Sequence, residues 1–153
     1  MHIINYLTTI HFGSGALASL TKAMQDLGVA RPLLVSDHGI ASAGLLDRVT
    51  ELLGGEVPTF LDVPTNPTES ATRQALTLYR RNGCDGVIAF GGGSPIDLAK
   101  GVALLAAHPG ELARYAAILG GIPRITAAVA PLIAIPTTAG TGSEVGRAAL
   151  ISL

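Results

Sequence analysis

The sequence predicts an α/β fold in which a parallel sheet carries helices on both faces. Three observations predict it. Short apolar runs at 32–36, 86–90 and 132–135 lack the in–out alternation of a half-exposed strand, as strands buried on both faces do. Stretches of helical periodicity separate those runs. No internal repeat, linker or low-complexity segment interrupts the order.

Taken in order, residues 3–10 alternate loosely and read as a strand. Ala16, Leu17, Leu20, Ala23, Met24 and Leu27 keep helical spacing, and Gly28 ends that helix. The run 32–36 between turn signals is a buried strand, 41–53 a helix closed by Gly54-Gly55, and 57–63 extended. Residues 68–82 form a helix with Glu69 in its first turn and Arg80 and Arg81 in its last, a charge order matched to the helix dipole. Gly83 fits the C′ position. After the strand 86–90 and a glycine run, a helix extends from 95 to about 107 and is apolar nearly all round, as helices covered on most sides are. Residues 132–135 make a further buried strand, and 145–153 begins another whose edge is unpaired where the pattern ends.

A chain of 153 residues suits one domain with a real core. Charged residues make up 14%, against about 25% in ordinary soluble domains. Such a chain buries too much apolar surface to be disordered. A net charge of −1 excludes the basic surface that nucleic acid requires. The uncharged stretch 125–143 is interrupted by Pro131 and Pro136 and ends in hydroxyls, so it reads as a strand and a loop rather than a membrane span. Residues 1–15 carry no Lys or Arg ahead of an apolar run, and Cys84 is the one cysteine; together they imply a reducing cytoplasm. The apolar excess implies surfaces that another body covers, with the helix 95–107 and the end of the chain as candidates.

Ligands of such sheets bind beyond the carboxyl ends of the strands. Gly91-Gly92-Gly93-Ser94-Pro95-Ile96-Asp97 joins a strand to a helix there. Its glycines allow close backbone approach, with Ser94 as N-cap, Pro95 at the first helical position and Asp97 where a capping-box acid sits. Exposed N–H groups and the helix dipole make this an anion site suited to a pyrophosphate, although a tight turn alone would also use a glycine. It is neither a Walker A loop nor a G-x-G-x-x-G fingerprint. Asp37 follows the strand 32–36; an acid there accepts ribose hydroxyls and repels a 2′-phosphate, or simply caps the next helix. Residues 136–144 place Thr137, Thr138, Thr141 and Ser143 among two glycines, donors for phosphate or ribose or caps for their own turns. In 64–68, Asn66 fits an N-cap and Pro67 the first helical position, and capping alone accounts for both. His2, His11, His38 and His108 show no zinc-motif spacing, and each reads as a surface or satisfied residue.

Together, GGGSPIDLAKG (91–101) and PTTAGTGSEV (136–145) resemble the two N-terminal signatures of the iron-containing (group III) alcohol dehydrogenase family. FGSGAL (12–17), LLVSD (33–37) and NPTE (66–69) occur in the family's order, so the resemblance spans the chain. YLTTIHFGSGAL and GVALLAAHPGELARYAAILGG (101–121) look most like its 4-hydroxybutyrate dehydrogenase branch.

The resemblance implies a Rossmann-like NAD(P)-binding domain over 1–153, truncated before the family's all-helical metal-binding domain. By position, Asp37 matches the acid on the adenosine ribose, and Gly92, Gly93, Ser94 and Asp97 match the pyrophosphate loop. Asn66, Thr137, Thr138, Thr141 and Ser143 match further cofactor contacts. The cofactor implied is NAD, with Fe2+ or Zn2+ held by ligands outside these residues. The implied activity is hydride transfer between NAD and a primary alcohol such as 4-hydroxybutyrate, in a homo-oligomer, with no catalytic residue in this half. A non-catalytic nucleotide-binding fragment or remnant, or part of a metal-independent maleylacetate reductase, is the alternative.

Overall fold

An apolar run with no polar side chain to turn outward is stable only in a sheet covered on both faces. β3 (Pro32–Val35) and β5 (Gly86–Gly91) are such strands, buried at every residue. The computed structural model describes the backbone of residues 2–5 and all of residues 8–153. The remaining elements are β1 (His2–Asn5), β2 (Thr9–Phe12), α1 (Leu20–Leu27), α2 (His38–Ser42), α3 (Leu46–Leu52), β4 (Thr59–Phe60), α4 (Glu69–Arg81), α5 (Gly93–Ala107) and β6 (Leu132–Pro136).

The main sheet is parallel throughout, in the order β4-β3-β5-β6. Its register sets Leu33 beside Val87, Leu34 beside Ile88, and Ala89 beside Ala134. Alternate residues therefore feed two cores. Leu33, Val35, Val87 and Ala89 pack with Ala75 of α4 and with Ile96, Ala99 and Val102 of α5. Leu34, Ile88 and Phe90 pack with Leu20 of α1 and Val49 of α3. Each fully buried Leu, Ile or Val contributes about 1.5–3 kcal/mol. The chain steps from β3 out to β4, then returns past β3 to β5 and β6. The order thus reverses between β3 and β5, and the crevice at their carboxyl ends is the topological switch point.

Several expectations change in the fold. The strand expected over 3–10 is an antiparallel hairpin of β1 and β2, with Asn5 opposite Thr9; Tyr6 and Leu7 lie outside the described residues. The helix expected over 41–53 is divided into α2 and α3 at Gly44, whose φ of +68° belongs to the left-handed region. Only Thr59–Phe60 of the extended 57–63 pairs as strand. The 132–135 strand is half-buried because β6 is the edge of the sheet. The strand expected over 145–153 reduces to one parallel bridge between Thr68 and Ser152.

The apolar helix also lies elsewhere than expected. From Pro95 to Leu105, α5 is buried at nearly every position, between the sheet and α4. A Cβ on Gly101 would stand 2.7 Å from Ile151 Cδ1 and 2.9 Å from Thr72 Cγ2. That glycine lets α5 approach α4 and the end of the chain closely. The exposed large apolar residues include Phe12 and Leu27 near the start of the chain, Ile118, Leu119 and Ile122 on the 3-10 turns after α5, and Val145, Leu150 and Leu153 toward the end of the chain. The second candidate surface is therefore exposed, and the first is not.

Candidate functional site

Four loops leave the carboxyl ends of the strands and converge on the switch point. Ser36 lies directly after β3; its buried hydroxyl donates a 2.7 Å hydrogen bond to the Phe90 carbonyl and locks the ends of β3 and β5 together. The next residue, Asp37, is extended at φ −130° and caps α2, with Oδ1 accepting from the Ile40 N–H at 2.9 Å. Its Oδ2 lies 3.3 Å from where a Cβ of Gly91 would stand. Capping thus takes one oxygen of the carboxylate, and the other lies beside the glycine turn.

The glycine turn differs from expectation at its cap. Gly92, not Ser94, is the N-cap of α5, and no side chain caps it. The helix begins two residues earlier than the serine would place it, which Pro95 allows because it is tolerated anywhere in the first turn, where amides have no partner within the helix. Freed from capping, the Ser94 hydroxyl donates to the Thr65 carbonyl and ties the 64–68 loop to the turn. Asn66 is exposed on that loop, and Thr68 rather than Asn66 caps α4, its side chain accepting from the Ala71 N–H at 3.2 Å. Pro67 accordingly precedes the helix instead of starting it. Asp97 is not a capping-box acid. It is buried, its Oδ2 accepts from the Leu150 N–H at 3.1 Å, and its Oδ1 lies 3.4 Å from Lys100 Nζ.

Over this turn lies the hydroxyl-rich loop after β6. The Thr137 N–H donates to the Gly91 carbonyl at 2.9 Å and sets the loop against the turn. Cβ atoms added to Gly92 and Gly93 would stand 3.3 Å from Thr138 Oγ1 and 3.2 Å from Ser143 Oγ, with Thr141 Cβ 3.4 Å from the latter. Side chains at these two positions would fill the space between turn and loop. Uncapped helix amides, a space that the two glycines leave open, and hydroxyls beside it can serve as a donor set for a phosphate group. The turn thus brings Gly91 beside Asp37 and Thr137, Gly92 beside Thr138, Gly93 beside Thr141 and Ser143, and Ser94 against Thr65, next to Asn66, whereas the Asp97 carboxylate, one turn along α5 from Gly93, is engaged by the Leu150 N–H and Lys100.

Lys100 was absent from the sequence expectation. Its ammonium donates to the Ala148 carbonyl at 2.6 Å as well as facing Asp97. The readable signal was its i+3 spacing from Asp97 on one helix face. Among the histidines, His38 is exposed and faces Asp62 at 2.9 Å. His108 is buried: Nε2 accepts the Thr126 N–H at 2.9 Å, so Nδ1 carries the proton donated to the Leu104 carbonyl. His11 Nδ1 is buried with no partner among the described residues. Among the described residues no three His, Cys, Asp or Glu side chains come together in a metal-ligand group, so the site does not fit a metal and no step is derived through one. Among them, too, no helix is long and apolar enough to cross a membrane.

The family model for iron-containing alcohol dehydrogenases matches residues 8–153. The chain is 53% identical, over its whole length, to 40% of 4-hydroxybutyrate dehydrogenase from Cupriavidus necator. Among solved structures it is similar to a 1,3-propanediol oxidoreductase, with a TM-score of 0.78 and 37% identity over 87% of this chain and 35% of that one. It is also similar to the sulfoacetaldehyde reductase from Bifidobacterium kashiwanohense in complex with NAD+, with a TM-score of 0.77 and 30% identity over 88% and 35% of the two chains. The chain thus spans between 35% and 40% of the length of these relatives.

Proposed function

The chain belongs to the iron-containing alcohol dehydrogenase family, and from that premise we propose that it is the NAD-binding half of a hydride-transferring enzyme. The observation that carries the reading is the cradle between Gly92-Gly93 and the hydroxyls of Thr138 and Ser143, at the uncapped start of α5. The backbone N–H groups of the turn hold the pyrophosphate, and Thr137, Thr138, Thr141 and Ser143 supply neutral donors around it. Asp37 accepts the adenosine ribose hydroxyls through Oδ2 while Oδ1 keeps its cap on α2. Its charge repels a 2′-phosphate, which favours NAD over NADP. Ser94 holds the 64–68 loop against the turn, which supports a cofactor contact by Asn66 on that loop.

Bound NAD exchanges a hydride with the carbon of an alcohol. This chain's residues bind and orient the dinucleotide, and none of them acts as acid or base. The substrate is a primary alcohol, and the relative at 53% identity supports 4-hydroxybutyrate in particular. The catalytic partner is a helical metal-binding domain, the working form a homo-oligomer, and the setting the cytoplasm. Calorimetric titration of the purified chain with NAD tests the reading: saturable heat supports it, and none at millimolar NAD overturns it.

A further inference from the structure

We propose that Asp97 and Lys100 are positioning residues: they anchor the far end of the 137–143 loop and do not touch the dinucleotide. The inference rests on the nucleotide site proposed above, reassigns Asp97 and gives Lys100 of the same helix a role. The loop leaves β6 with its near end fixed, because the Thr137 N–H is bound to the Gly91 carbonyl. From 139 to 142 and from 145 to 148 it is exposed. Its internal bonds are few and local: Gly146 N–H to the Gly142 carbonyl at 3.1 Å, and Thr141 Oγ1 to Glu144 Oε2 and to the Ser143 N–H, both at 3.3 Å. A segment held so loosely keeps its place over the glycine turn only if its far end is fixed as well.

That far end is fixed on α5. Lys100 donates to the Ala148 carbonyl, and Asp97 accepts the Leu150 N–H, two residues on. The 152 position then pairs with the start of α4, Ser152 N–H to the Pro67 carbonyl at 2.9 Å and Glu69 N–H to the Ser152 carbonyl at 2.8 Å. Two charged side chains with 10% and 12% exposure face each other here, 3.4 Å apart, and each also holds one backbone group of the same short segment. Burial of a charge is costly without a partner, and this pair satisfies both charges locally. Both Asp97 oxygens are engaged, which leaves neither aimed at the crevice. A carboxylate set against a pyrophosphate would also oppose its charge. An Asp whose two oxygens are taken by Lys100 and the Leu150 N–H, one turn beyond the glycine turn, avoids that conflict.

The test compares the chain with Asp97→Ala and Asp97→Asn by amide hydrogen exchange without nucleotide and by NAD titration. An anchor predicts that Asp97→Ala speeds exchange of the Leu150 amide about tenfold or more, the effect of losing a hydrogen bond to a charged group. It also predicts that NAD Kd rises by a similar factor. Asn keeps an oxygen that accepts the Leu150 N–H, so Asp97→Asn keeps both exchange and NAD Kd within about threefold. Unchanged Leu150 exchange in Asp97→Ala together with lost NAD binding overturns the proposal, because Asp97 then acts on the ligand directly. If Asp97→Ala fails to fold, Asp97→Asn decides: protection and binding both kept support the anchor, and protection kept with binding lost overturns it. A parent chain that binds no NAD overturns the nucleotide reading alone, and the Leu150 exchange rates still decide whether Asp97 is an anchor.

Discussion

Asp37 divides its carboxylate between two neighbours: one oxygen accepts the Ile40 N–H at 2.9 Å, and the other faces Gly91, 3.3 Å from the point a Cβ there would occupy. The cap commits one oxygen, and the ribose contact proposed above falls to the other. Replacement by Ser keeps a hydroxyl to cap α2 and removes the charge. Asp37→Ser is expected to lower the preference for NAD over NADP about tenfold or more, with little change in unfolding midpoint. Parallel titrations with the two dinucleotides check it, and an unchanged preference would put the ribose elsewhere.

The glycines of the turn separate in the same way. A Cβ on Gly91 would stand 2.7 Å from Pro95 Cγ, inside the fold, whereas one on Gly93 would stand 3.2 Å from the Ser143 hydroxyl, inside the crevice. Gly91→Ala is therefore expected to cost about 1–3 kcal/mol of stability through overpacking. Gly93→Val is expected to weaken NAD binding at least about tenfold while moving the unfolding midpoint less. Denaturation curves and NAD titrations of both variants measure the contrast.

What could be read from the residues, and what could not, follows the range of the interactions. β3 and β5 were legible because both of their faces are apolar. The division of 41–53 was hidden because Gly44 looks like any tolerated helix glycine until its φ is known. Asn66 and Thr68 are both good caps, two residues apart, and the choice depends on the bridge from Thr68 to Ser152, 84 residues along the chain. The half-exposed state of β6 depends on its place at the sheet edge, which no local pattern encodes. The nearness of the glycine turn, Asp37 and the hydroxyl loop was legible from their places after the strands, but not the Asp97 contact with Leu150, which joins residues 53 apart.

Alkaline pH gives a separate test of the core. Burial first, and then the neighbouring Asp85, pushes the Cys84 thiol above its usual range; burial, Cys84 and Asp85 do the same to the Tyr79 phenol. Both groups hold their protons longer in the folded chain than in the unfolded one. Their stabilising contribution is complete below about pH 8.5 and is lost as pH rises through the raised values. The denaturation midpoint is expected to fall between neutral pH and about pH 10, and less steeply in Cys84→Ala.

The two-core sheet predicts that the central strand is its most sensitive element. Ile88 is fully buried on the face packed by α1 and α3. Ile88→Ala is expected to cost about 2–5 kcal/mol, measured by chemical denaturation.

No group of three metal-binding side chains forms among the described residues. Added iron or zinc ions are expected to leave the melting temperature of the chain unchanged, and no NADH is expected to form from NAD and 4-hydroxybutyrate. Spectrophotometry at the NADH absorption band checks the second outcome.

The most direct test of the nucleotide cradle is the titration of the purified chain with NAD by calorimetry, paired with its melting temperature. The cradle between Gly92-Gly93 and the 137–143 loop predicts weak, saturable binding, and about 1.4 kcal/mol of added stability at tenfold excess over Kd. Absence of heat and of any melting shift at millimolar NAD would contradict it.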